Sequence, residues 1–64
     1  MKVRITAIRT AGFGCIKGDT KTYDNVQMVE DKGDRWIIVK SRSKYSVHEI
    51  IVSKNNWSLE ILQK

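Results

Sequence analysis

The side chains that most often carry catalysis are scarce in this chain of 64 residues. There is one histidine, His48, and one cysteine, Cys15, and the pattern of apolar residues places them on different elements. A Cys–His nucleophile needs both groups within hydrogen-bonding distance and a third group that orients the imidazole. A structural zinc site needs four ligands, mostly cysteine or histidine. The sequence therefore predicts a protein that is not an enzyme and holds no metal ion or other cofactor.

Three carboxylates cluster around a turn, at Glu30, Asp31 and Asp34. They lack the ordered spacing of oxygen ligands that defines a calcium-binding loop. The glycine-rich sequence that cradles phosphates in nucleotide-binding proteins is also missing. We therefore predict that the carboxylates belong to the solvated tip of a hairpin.

Positive charge is concentrated in two parts of the chain. The formal net charge is +5, with +4 on residues 1–17, −3 on residues 18–34 and +4 on residues 35–64. Such a division often marks a surface that binds nucleic acid or an acidic partner. The candidate phosphate contacts are Lys2, Arg4, Arg9, Lys40, Arg42 and Lys44. The simpler alternative is a soluble protein whose turns carry charge.

A glycine-rich segment surrounds the one phenylalanine of the chain. Residues 11–18 read Ala-Gly-Phe-Gly-Cys-Ile-Lys-Gly and partly resemble the first ribonucleoprotein motif of RNA-recognition and cold-shock domains. The matching positions are Gly12, Phe13, Gly14 and Ile16. Ala11 stands where the motif has a basic residue, Cys15 stands where it has a second aromatic, and the rest of the chain does not fit, so we assign no family. The glycines still predict an exposed Phe13 that stacks on a base, with a ring tucked over the end of the domain as the alternative.

A second aromatic residue, Trp36, begins a strand that ends among basic residues. Alternate residues of a strand share a face, so Trp36, Ile38 and Lys40 lie together, and Arg42 and Lys44 join them if the strand continues. Basic residues interleaved with an aromatic ring form a groove for single-stranded nucleic acid. Alternatively Trp36 and Ile38 belong to the core, because a domain of this size can leave few large apolar side chains exposed.

Apolar and polar residues alternate along several short segments, which is the pattern of half-buried strands. The alternation is clearest over residues 2–7 and 57–63. A hairpin is predicted from Val26 to Val39, with Gly33 in its turn at a positive φ. A short strand is predicted at residues 15–17, and a strand or loop follows at residues 20–24.

The segment from Tyr45 to Val52 has two interpretations. Ser46 and Glu49 have the spacing of a helix capping box, which favours a single helical turn. The other interpretation is a strand throughout, with Val47 buried. In either case the strand spacing predicts one all-β domain over residues 1–64, an antiparallel barrel or curved sheet of about five strands, SH3-like in the first place and OB-like in the second.

The apolar runs are short, and the longest are residues 36–39 and 50–52. A bilayer-spanning helix needs about 20 apolar residues, so we expect no membrane contact. The first residues alternate charge with apolar side chains, unlike a signal peptide, and we expect a cytoplasmic protein. Our leading functional hypothesis is a non-enzymatic module that binds nucleic acid through a basic face and a stacking aromatic residue. The alternative is a small protein-interaction module, such as an accessory or inhibitory protein of phage type, that uses a sheet edge or the Trp36/Ile38 face.

Overall fold

Six β-strands make up the described part of the chain. The computed structural model describes residues 1–42 and 47–64, without the side chains of Ser41, Arg42 and Val47. The strands are β1 (Lys2–Ala7), β2 (Thr20–Tyr23), β3 (Met28–Asp31), β4 (Arg35–Arg42), β5 (Val47–Ser53) and β6 (Trp57–Gln63). No helix forms in these two ranges. The all-β prediction is confirmed, with six strands in place of about five.

The strands form two three-stranded antiparallel sheets, ordered β2-β1-β6 and β3-β4-β5. No strand pairing among the described residues joins the sheets, so the prediction of a closed barrel is wrong. Closure requires strand pairing to continue around the whole circumference. Here the chain passes from β2 to β3 through residues 24–27, in which Asn25 has a φ of 58°. The Val26 amide donates to the Met1 carbonyl over 2.9 Å and the Gln27 amide donates to the Val39 carbonyl over 2.8 Å, so this connection contacts both sheets without extending a ladder between them.

The hydrophobic core joins the two sheets. Its fully buried members are Val3, Ile5, Val26, Ile38 and Val52. Partly buried residues pack around them, namely Met1, Tyr23, Val29, Trp36, Ile50, Trp57 and Leu59. In β1 the buried residues alternate with half-buried ones, as the sequence predicts. Burial of this apolar surface stabilises the domain by about 25 cal/mol per Å².

The predicted hairpin is confirmed by the antiparallel pairing of β3 with β4. Its turn is closed by a hydrogen bond of 2.9 Å from the Lys32 amide to the Arg35 carbonyl. Gly33 adopts a φ of 93°, a conformation that side chains with a Cβ rarely take, and its amide donates to an Asp31 carboxylate oxygen over 2.8 Å. The acidic turn is therefore a hydrogen-bonded hairpin tip.

One local prediction is wrong. Residues 15–17 form no strand, because Cys15 makes only an isolated bridge with Gly12 and the chain then turns. Of the two interpretations of Tyr45–Val52, the described part agrees with the strand, because β5 spans Val47–Ser53 and Glu49 lies opposite Val39. The β-branched residues of β5 favour a strand over a helical turn. Tyr45 and Ser46, and the side chain of Val47, lie outside what the structure describes.

A β-bulge interrupts β4 at Lys40. Val39 pairs with Glu49 and Ser41 pairs with the next partner, His48, so one extra residue is inserted in β4. An inserted residue resets the alternation of faces. The strict alternation of faces that the predicted stripe requires is therefore interrupted at Lys40.

Candidate functional site

The basic residues of β1 are paired with acidic residues. Arg4 lies directly opposite Glu60 of β6, and the guanidinium approaches a carboxylate oxygen to 2.7 Å. The Lys2 ammonium lies 3.8 Å from a carboxylate oxygen of Asp24. Both carboxylates belong to distant parts of the chain, which local charge counting does not reveal. The first strand is therefore less available to phosphates than its sequence indicates.

Trp36 is packed against the core. The residue is half-buried, and the Lys54 ammonium lies 5.0 Å from the centre of its ring. Ile38, on the same strand face, is 0% exposed. The Trp36/Ile38 face is therefore turned toward the core, in agreement with the second interpretation of this segment.

Three basic residues follow Trp36 along the chain, at Lys40, Arg42 and Lys44. Lys40 is half-buried at the bulge. The side chain of Arg42 and all of Lys44 lie outside the described residues. The predicted cluster of three basic residues therefore stays a prediction.

The segment between β1 and β2, residues 8–19, displays Phe13 at its tip, and we call it the Phe13 loop. The Cys15 amide donates to the Gly12 carbonyl over 3.2 Å, which closes a four-residue turn. Gly14, the third residue of this turn, has a φ of 80°, which is the geometry of a type II turn and favours glycine. Phe13 therefore occupies the second, most protruding position. The residues that resemble the ribonucleoprotein motif form a turn, whereas the aromatic residues of that motif lie on a sheet.

Several hydrogen bonds hold the Phe13 loop in place. At its base the Ala7 amide donates to the Asp19 carbonyl over 2.8 Å, and the Gly18 amide donates to the Ala7 carbonyl over 2.9 Å. Further out, the Lys17 amide donates to the Thr10 hydroxyl over 3.1 Å. The buried Cys15 thiol lies 3.4 Å from the Arg9 carbonyl. Cys15 thus packs inside a loop whose backbone is joined by internal hydrogen bonds.

The tip of the Phe13 loop is apolar, and two basic residues lie nearer to the ends of the loop. Phe13 is fully exposed, at 110% of its reference accessibility. An open depression of about 320 Å³ lies beside it and is lined by Thr10, Gly12, Phe13, Gly14 and Ile16. Arg9 and Lys17 are exposed, and within the described ranges neither side chain takes part in an ion pair. Of the eight predicted site residues, Arg9 and Phe13 belong to this loop.

A second depression, of about 180 Å³, lies at the opposite end of β1. Its lining is polar and includes the paired Lys2 and Asp24. Because these two charges already satisfy each other, this depression offers weaker recognition than the Phe13 loop.

The outer face of the second sheet is a feature that the sequence analysis missed. Ile37 and Ile51 lie opposite each other on β4 and β5, on the face away from Ile38. Ile51 is 65% exposed, and Met28 on β3 is also exposed. The signal was present in the run of consecutive apolar residues in β4, since a strand in contact with the core on one face alternates instead.

No cluster of three or more metal-ligating side chains occurs among the described residues. His48 is exposed on β5, whereas Cys15 is buried in the Phe13 loop. In the two ranges that the structure covers, no helix has the length and apolar character needed to cross a membrane. The chain matches no protein-family model, and neither a curated protein nor a solved structure is detectably similar to it.

Proposed function

We propose that the protein is a non-enzymatic module that binds nucleic acid through the Phe13 loop. The observation that carries this proposal is the full exposure of Phe13 on a hydrogen-bonded Gly-Phe-Gly turn. Burying a phenylalanine side chain contributes about 1.5–3 kcal/mol to folding. A domain of 64 residues has little stability to spare, so a ring left exposed on a hydrogen-bonded turn is best explained by contact with a partner.

The charge of the Phe13 loop favours nucleic acid as that partner. Arg9 and Lys17 lie near the two ends of the loop, and the chain contains no acidic residue before Asp19. An aromatic ring between two cations can stack on a base while the cations contact the flanking phosphates. A neutral or basic protein partner would gain nothing from this arrangement of charges.

The pairing of charges on β1 sets the expected dependence on salt. Two free cations on a single strand predict a slope of log K against log salt of about −1.4, since each phosphate contact contributes about −0.7. A basic face that also included Lys2 and Arg4 would give a slope roughly twice as steep. The slope therefore distinguishes the Phe13 loop from the broader basic face.

The test is a fluorescence-anisotropy titration of a labelled single-stranded oligonucleotide at several salt concentrations. We expect the Arg9→Gln, Lys17→Gln double variant to lose most of the slope. The matched control is Lys2→Gln, Arg4→Gln, which removes the same charge from residues that are paired with carboxylates. If the control variant loses the slope and the loop variant keeps it, the proposed site is wrong.

A second candidate function is a protein-interaction module of the accessory or inhibitory type. The observation that favours it is the exposure of two apolar side chains, Met28 and Ile51, on the face of the second sheet away from Ile38, where the half-buried Ile37 lies opposite Ile51. Contiguous exposed apolar residues often mark protein interfaces. This candidate takes the lead if no oligonucleotide binds at about 50 mM salt, a condition that favours counterion release. Ile51→Lys should then abolish partner binding and leave the melting temperature nearly unchanged.

For the topology we propose an SH3-like order of strands, with an OB-like order as the alternative. Support comes from the consecutive pairing of β3, β4 and β5 and from the return of β6 to β1. Small β folds host unrelated functions, so this order adds no argument about the partner. An experimental structure in which β6 pairs with a strand other than β1 would contradict it.

A further inference from the structure

The depression beside Phe13 has the size and lining of a small ring-binding site. Its volume of about 320 Å³ lies at the lower end of the roughly 300–1,000 Å³ found for ligand pockets. The side chains of Phe13 and Ile16 line it together with the backbone of two glycines. No heavy atom lies within 4 Å of the position that a Cβ would take at Gly12 or Gly14. A flat ring can therefore lie directly against the turn.

The exposed Phe13 ring can stack only on a base that has a free face. Phe13 stands alone at the second position of a four-residue turn, without a second aromatic ring in the lining. A base inside a duplex is stacked on both faces, so its ring becomes accessible only after it is unpaired and unstacked. An unpaired base has a free face and needs no such step. The geometry therefore selects for unpaired nucleotides over base pairs.

We infer that the Phe13 loop holds one unpaired nucleobase, stacked on the Phe13 ring, with Arg9 and Lys17 at the phosphates on either side. This inference rests on the proposed nucleic-acid function and specifies its substrate class. The lining offers one side-chain hydroxyl, that of Thr10, and otherwise apolar or backbone surface. Recognition by stacking is tolerant of sequence because every base has a π face. The site therefore prefers single strands, bulges and frayed ends of any sequence.

The experiment compares three labelled probes at about 50 mM salt, where electrostatic binding is strong. The probes are a 12-nucleotide single strand, the perfectly matched duplex of the same sequence, and that duplex with one unpaired thymidine as a bulge. Fluorescence anisotropy gives the dissociation constant for each. We expect the single strand and the bulged duplex to bind at least about tenfold more tightly than the matched duplex, because unpairing a base costs a few kcal/mol.

Phe13→Ala tests the stacking contact. We expect its affinity for the single strand and the bulged duplex to fall about 5- to 150-fold, the range that corresponds to loss of one base–aromatic stack. The salt slope should stay the same, because stacking releases no counterions. Phe13→Leu, which keeps an apolar side chain without a ring, should recover only a small part of the loss. Ile51→Ala is the matched control, since it removes an exposed apolar side chain from the other sheet.

Two results would overturn the inference, and they are distinguishable. Equal affinity for all three probes, unchanged in Phe13→Ala but still dependent on Arg9 and Lys17, contradicts base stacking and leaves the proposed nucleic-acid function in place. Absence of binding to every probe contradicts both. Circular dichroism of each variant confirms folding, and Phe13 is exposed, so its replacement should change stability by less than about 0.5 kcal/mol.

Discussion

Two isoleucines on neighbouring strands of the second sheet give a direct test of which face contacts the core. Ile38 on β4 is 0% exposed and belongs to the core, whereas Ile51 on β5 is 65% exposed and lies on the opposite face. Replacing each by valine or alanine removes the same atoms from two different environments. The loss at Ile38 includes both the transfer of apolar atoms from water and the cavity that remains.

The expected magnitudes differ clearly. Ile38→Val should cost about 0.5–1.5 kcal/mol and Ile38→Ala about 2–5 kcal/mol. A domain of this length has a total stability of about 3–10 kcal/mol, at 0.05–0.15 kcal/mol per residue. Ile38→Ala should therefore be partly or wholly unfolded at 25 °C, and Ile38→Val is the variant suited to measurement. Ile51→Ala should change stability by no more than about 0.5 kcal/mol.

Urea unfolding followed by tryptophan fluorescence measures these differences, because Trp36 and Trp57 are both partly buried at the core. For a small domain with an m-value of about 1 kcal/mol per molar urea, Ile38→Val should lower the midpoint by about 0.5–1.5 M. The midpoint of Ile51→Ala should stay within about 0.5 M of the wild type. If Ile51→Ala instead lowers the midpoint by more than Ile38→Val does, the outer face is covered and the assignment of faces is refuted.

Three further predictions concern the turns and ion pairs. The Lys54 ammonium donates a hydrogen bond to Asp31, which holds the pKa of Asp31 below its ordinary value of 3.8. The stability that the ionised carboxylate contributes is therefore present above pH 3.8 and is lost as the pH falls through the lowered pKa. The urea midpoint of unfolding should fall on acidification, and it should fall less in Lys54→Gln. Gly14→Ala should lower the free energy of unfolding by about 1–2 kcal/mol and weaken oligonucleotide binding, because the φ of 80° at Gly14 strains any residue with a Cβ, although there is space for the methyl group. An unchanged melting temperature would contradict the turn geometry. Glu60→Gln removes the carboxylate that pairs with Arg4 and should change stability by no more than about 1 kcal/mol. Oligonucleotide affinity should rise less than threefold, and a larger rise would mean that Arg4 contributes to the interface.

The sequence alone predicted the features that depend on neighbouring residues. Alternation along β1 and β6 follows from the two-residue period of a strand, which is visible in any short window. The β3–β4 hairpin follows from turn chemistry, because Gly33 takes a positive φ of 93° that most residues avoid. The scarcity of nucleophiles and metal ligands is a matter of composition. These features needed no knowledge of how distant segments meet.

The tertiary structure determined which of the predicted site residues are paired, buried or exposed. The register of β1 against β6 places Glu60 opposite Arg4, so this predicted phosphate contact lies in an ion pair. A single inserted residue in β4 interrupts the alternation of faces at Lys40. Phe13 is exposed because its turn projects away from the core, and the position of the turn relative to the core is set by the tertiary structure. Ion pairing, strand register and solvent exposure arise from segments far apart in the chain, and residue periodicity contains no information about those contacts.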